Sequence, residues 1–213
     1  MKLFKISLIK NYFIEGSSYG LFNFDLQDFS NCDRVAWGNL LRRTLLKDLE
    51  GLRFGNSSIF ISRSFSKIPY YHRVNEYSDI EQVNPSLLQV FSNFRNLHIF
   101  SSKPFYRKTS YSMIKVLTSR SYFSKDILLP NNLYVVNPDV QLFEFLSKRY
   151  KLRIISEICK GSGKSFSPIK KVNYVVEGIP YASLLLEIYT DLRANALSSL
   201  LATLRLINPK FAA

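Results

Sequence analysis

Residues 31–49 read NCDRVAWGNLLRRTLLKDL, and the spacing within this stretch decides how the chain is organised. Trp37, Leu41, Leu45 and Leu49 recur every four residues, while Asn39, Arg43 and Lys47 recur at the same interval two positions away. A helix turning about 100° per residue gathers each set onto its own face. The spacing therefore predicts an amphipathic helix over 33–49, with an apolar stripe on one side and a polar ridge on the other. Arg42 and Arg43 point about 100° apart and cannot serve one surface. With Trp37, Leu41 and Leu45 turned inward, Arg43 shares an exposed face with Asn39. There it can offer a planar, bidentate guanidinium to a partner.

Outward from this helix the chain reads mainly as strands. GLFNFDLQDF (20–29) puts Phe22, Phe24 and Leu26 on one face and Asn23, Asp25 and Gln27 on the other, the signature of a sheet buried on one side. Further strands are predicted at the N-terminal MKLFKISLIKNYF and at IFISRSF, NLHIF, SMIKVLT, NLYVVN, LRIISEI, KVNYVVEGI and SLLLEIYT. Two more helices break the pattern. One opens with Pro85 in its first turn and gathers Leu87, Leu88, Phe91 and Phe94. The other runs from about Arg193 to Ile207, with Leu197, Leu200, Leu201, Leu204 and Ile207 at helical intervals and Asn208-Pro209 closing it. The fold class is α+β.

Composition narrows the functions. With 46% hydrophobic and 21% charged residues the chain can build an ordinary packed core. Its net charge of +13 points toward nucleic acid or an acidic neighbour, although the basic residues are scattered. Cys32, Cys159, His72 and His98 lie far apart with no zinc-ligand spacing, and no paired aspartates suggest a catalytic metal. No apolar run approaches the ~20 residues that span a bilayer, so no membrane role is expected. The stretch CKGSGKSFSP (159–168) holds GSGKS, like the end of a phosphate-binding loop. The leading glycine of that motif would fall at Ile158, and a strand rather than a helix follows. It reads as a basic turn between strands, and no cofactor is expected.

Several blocks together resemble one family. FNFDLQDFSNCDRVAWGNLLRRTLL is similar to the strand and first helix of the bacterial-type RNA polymerase alpha subunit, whose hallmark is a G-N-x-L-R-R-x-L-L helix. NEYSDIEQVNPSLLQVFSNFRNLHI, DILLPNNLYVVNPD, KGSGKS, SPIKKVNYVVE and SLLLEIYTD follow in the family's order over residues 20–207. The sequence departs from the pattern where NCDRVAW replaces a glycine-rich approach, where ISRSFSKIPYYHRV (61–74) matches poorly, and where Arg95 stands in place of Lys. The loop between GSGKS and SPIKK is missing and the turn before the last helix is short.

The resemblance implies a discontinuous dimerisation domain, an antiparallel sheet plus two long helices, at 1–51 and 168–213, with an inserted mainly β domain at 52–167. It implies a homodimer whose interface uses Trp37, Leu41, Leu45, Leu197, Leu200, Leu201 and Leu204. It further implies a non-catalytic scaffold for the beta and beta-prime subunits, with Asn39, Arg43 and Arg95 contacting beta. The family's C-terminal DNA-binding domain has no counterpart here, so no sequence-specific DNA contact is expected. Abundant Lys, Asn, Ile, Phe and Tyr suggest a plastid chain, with a bacterial cytoplasm as the alternative. A basic organellar RNA-binding or ribosome-associated protein is the competing function, with KPFYRKTSYSMIK as its candidate stacking surface.

Overall fold

A computed structural model describes residues 5–14, 16–63, 70–78, 80–103, 109–178 and 182–208. Residues 1–4, 64–69 and 104–108 lie outside this set, and with them the very start of the chain and parts of the expected IFISRSF strand, the poorly matched segment and the aromatic-basic stretch. The chain divides into two compact units, Met1–Gly51 with Gly161–Ala213, and Leu52–Lys160. It begins with β1 (Lys5–Ile14), β2 (Ser17–Asp25) and α1 (Asn31–Lys47). Then come β3 (Gly51–Arg63), β4 (His72–Val74), β5 (Val83–Asn84), α2 (Leu87–Arg95), β6 (Ile99–Ser101), β7 (Thr109–Val116), β8 (Arg120–Phe123), β9 (Leu133–Val135), β10 (Gln141–Phe145) and β11 (Tyr150–Gly161). The return supplies β12 (Ile169–Val176), β13 (Ser183–Thr190) and α3 (Ala196–Ile207).

In the first unit four antiparallel strands run in the order β1-β2-β13-β12. Register sets Phe24 opposite Leu184, Phe22 opposite Leu186 and Gly20 opposite Ile188. Because side chains alternate along a strand, this register collects Phe22, Phe24, Leu184, Leu186 and Ile188 on one face. Leu41, Leu45 and Leu49 of α1 and its following turn, with Ala196, Leu200 and Leu204 of α3, cover that face. On the opposite face Tyr12, Tyr19, Tyr189 and Lys171 stand directly opposite one another across the four strands. Neighbouring tyrosine rings lie 4.8 and 4.9 Å apart. Burial, with the hydrogen bond that Tyr19 donates to Glu187, pushes the Tyr19 hydroxyl up to about 12.

In the second unit α2 turns Leu87, Val90, Phe91 and Phe94 inward. They join a core built from three sheets with strand orders β5-β10-β8, β4-β3-β11-β7 and β6-β9. Phe94 meets Phe54 edge to face at 5.8 Å.

The helices begin later or earlier than their periodicity suggests, each for a local reason. Ser30 caps α1 by accepting the Asp33 amide at 3.2 Å, so the helix starts at Asn31. Asn84 is still paired with Glu144 in a ladder, so α2 starts after Ser86 rather than at Pro85. Arg193 is held by an ion pair, and Asn195 accepts the Ser198 amide at 2.6 Å, so α3 starts at Ala196. The strands β4, β5, β8 and β10 went unpredicted because two to five residues carry too little alternation. The chain re-enters its first unit at Gly161 rather than at residue 168, because the GSGKS turn is bonded to the end of α1.

Four of the leucines expected at a dimer interface serve the core of the first unit itself. Leu41, Leu45, Leu200 and Leu204 are 0–5% exposed inside the first unit's own core, and Trp37 is half-buried. A sheet with one apolar face of Phe22, Phe24, Leu184 and Leu186 must be covered, and these leucines cover it.

Candidate functional site

Once its stripe is spent on the sheet, α1 keeps the ridge of Asn39, Arg43 and Lys47, all exposed. Arg43 sits two residues from both Leu41 and Leu45, about 160° around the helix from each. No ion pair engages it among the described residues. Asn39 is less free than the sequence suggests, since its Oδ1 accepts the Tyr174 hydroxyl of β12 at 2.7 Å.

The ring of Tyr174 explains the glycine before it. A Cβ added to Gly38 would lie 2.5 Å from that ring, closer than any real contact. Glycine in a helix interior costs about 1 kcal/mol relative to alanine, and here it admits the strand's tyrosine against the helix backbone. Gly38→Ala is therefore expected to destabilise the protein by about 1–3 kcal/mol, the range for overpacking, instead of gaining helix propensity. A urea midpoint at or above the parent's would contradict this.

Two further ties fix the end of α1, and Arg193 braces the segment that makes them. Gly163, at φ +109, donates its amide to the Lys47 carbonyl at 2.7 Å. Ser167 Oγ donates to the Leu45 carbonyl at 2.9 Å. Arg193 bonds the Phe166 and Ser167 carbonyls at 3.0 and 2.6 Å and pairs with Asp191 at 2.7 Å, both side chains under 10% exposed. The GSGKS turn thus spends its glycine amide on a helix C-terminus, and strand β12 follows it. At the other end, Arg34 is buried and donates to the Phe29 and Glu177 carbonyls. Sequence reasoning missed Tyr174, Ser167, Arg193 and Arg34 as positioning groups; a glycine inside an otherwise strong helix was the one signal that something approaches it.

Apolar surface remains on both helices. Val35 (40%), Leu40 (42%), Leu197 (37%), Leu201 (49%) and Leu206 (54%) are exposed. Phe29, Ala36, Trp37 and Leu40, with Asp33, line an open groove of ≈390 Å³ beside α1. Of the seven residues expected at a dimer interface, Leu197 and Leu201 lie on the surface and Trp37 partly so.

Arg95 belongs to the second unit, at the last turn of α2. It is exposed and lines a cleft of ≈550 Å³ with Arg73, Asn75, Glu76 and residues of β3. His72 is exposed beside the Tyr70 ring, and no three His, Cys, Asp or Glu side chains cluster among the described residues. No helix among them is long and apolar enough to cross a membrane.

Comparison with known proteins fits this arrangement. The family model of the RNA polymerase Rpb3/Rpb11 dimerisation domain matches residues 29–211. The chain is 32% identical over 210 residues to a DNA-directed RNA polymerase subunit alpha of Euglena viridis, covering 98% of this chain and 97% of that one. It is 26% identical over 207 residues to the subunit alpha of Euglena myxocylindracea, covering 97% and 96%. A subunit alpha of Borreliella afzelii is 28% identical over 213 residues, and there the match spans 87% of this chain and 59% of that protein.

Proposed function

Because this chain belongs to the RNA polymerase Rpb3/Rpb11 dimerisation domain family as an alpha subunit, we propose that it dimerises and carries the beta and beta-prime subunits of a DNA-directed RNA polymerase. It is a non-catalytic member of a nucleotidyltransferase complex. Family membership selects this reading over a ribosome-associated one.

The observation that carries the assembly reading is the exposed, unpaired Arg43 on a helix fixed at both ends. Arg34 anchors the first turn of α1, Gly163 and Ser167 bond its last, and Arg193 holds the segment that carries Ser167. A guanidinium on a rigid element loses little freedom when it docks, which favours affinity. In a symmetric dimer the ridge occurs twice, and one copy meets beta while the other faces beta-prime. Dimerisation uses the apolar surface left outside the core, with Leu197 and Leu201 of α3 and Val35 and Leu40 of α1. The composition and the Euglena relatives support a plastid as the place of work.

Arg43→Ala is expected to leave a folded dimer whose capture of beta weakens by about 2 kcal/mol, or roughly thirtyfold, the scale of an interface arginine. Copurification of undiminished beta with the variant would remove Arg43 from the interface.

A further inference from the structure

The cleft in the second unit is built like a receptor for an anionic chain. Arg73 comes from β4, where it pairs opposite Phe60 of β3, and Arg95 comes from α2. Both arginines are exposed, and neither side chain makes an ion pair or hydrogen bond among the described residues, although Glu76 lines the same cleft of ≈550 Å³. Ser58 and Asn75 add neutral polar groups, and buried Phe91 forms part of the lining. Tyr77, 74% exposed, follows directly, and its amide donates to Asn75 Oδ1 at 3.2 Å, which steadies the turn that carries Glu76. Two forked cations in one cleft are the composition of an interface anchor point.

We propose that this cleft receives an acidic polypeptide segment of the large-subunit partner. The proposal rests on the assembly reading and extends it to Arg73, in a stretch that matches the family poorly. Unpaired guanidiniums call for carboxylates. Glu76 favours a protein over a nucleic acid: a polypeptide brings regularly spaced backbone N–H donors that satisfy its carboxylate, whereas the phosphates of a nucleic acid are anionic acceptors and are repelled. One partner side chain pair and one amide would thus complete the cleft.

The direct test uses the full-length chain and a fluorescein-labelled hexaglutamate peptide followed by anisotropy, with a hexauridylate of similar charge beside it. The peptide is expected to bind, to bind more weakly as salt rises, and to lose about tenfold in affinity on either Arg73→Ala or Arg95→Ala. Arg73→Lys should fall between, since it keeps the charge and loses the fork. Equal binding to parent and Arg73→Ala overturns the proposal, as does no binding at millimolar peptide. A hexauridylate that binds more tightly and loses its affinity on Arg73→Ala overturns it in favour of nucleic acid.

Coexpression with beta separates this proposal from the one it rests on. Arg73→Glu is expected to reduce beta capture at least as much as Arg43→Ala. Full capture by Arg73→Glu alongside loss in Arg43→Ala sinks the cleft and leaves the assembly reading standing. Full capture by both sinks the assembly reading and the cleft with it.

Discussion

Leu201→Asp is expected to give a folded chain that sediments as a monomer at micromolar concentration. Leu201 is 49% exposed, one turn from Leu197 at 37%, while Leu200 and Leu204 beside it are 1% and 5% exposed. The buried pair holds α3 on the sheet, so a carboxylate at 201 stands in water in the isolated chain and the fold is kept. In a dimer closed over this surface the same carboxylate would lose its hydration against leucine. Unpaired burial of a charge costs several kcal/mol, and each 1.4 kcal/mol is tenfold in the dissociation constant. The symmetry doubles the effect, because each interface of a two-fold dimer contains the substitution twice. Leu200→Asp is the informative contrast: there the charge enters the core, and loss of folding rather than of association is expected. A Leu201→Asp chain that remains dimeric would move the interface off α3.

That contrast also locates what could be read without coordinates. The α1 ridge, the strand at Phe22–Phe24–Leu26 and the leucines of α3 were all legible, because periods of 3.6 and 2 are local properties of the chain. The assignment of Leu41, Leu45, Leu200 and Leu204 to a second copy was not. The same sequence held both an apolar sheet face in need of cover and leucine stripes in need of burial, but periodicity cannot say which surface meets which. Burial within the unit places these four in the core beneath their own sheet. Contacts between residues more than a hundred positions apart, such as Tyr174 to Asn39 or Ser167 to Leu45, carry no periodic signal at all. Gly38 was the one visible trace of the first. The conflict between its poor helix propensity and the strong helix around it marks where tertiary packing overrode local preference.

Arg193→Ala should then be among the most damaging single truncations in the first unit. Its guanidinium, 8% exposed, bonds Asp191 Oδ2 at 2.8 and 2.7 Å and the carbonyls of Phe166 and Ser167. Truncation takes the guanidinium from a buried carboxylate, which keeps the Arg193 amide at 3.1 Å, and removes one donor from each of two carbonyls. Breaking a buried pair from one side typically costs about 3–5 kcal/mol, a large share of a small domain's stability. Arg193→Lys should recover little, because an ammonium reaches fewer of these acceptors at once. Replacing both partners, as Arg193→Met with Asp191→Leu, should recover more than Arg193→Lys, since it removes the buried charge. The chain's single tryptophan, Trp37, lies on α1 in this unit. Its fluorescence in urea therefore reports on the unit where the loss is expected, while the second unit has a core of its own. If the Trp37 transition of Arg193→Ala stays within about 1 kcal/mol of the parent, the ion pair does not hold the GSGKS turn against α1. The rigidity argued for the Arg43 ridge would then have to come from Gly163 and Ser167 alone.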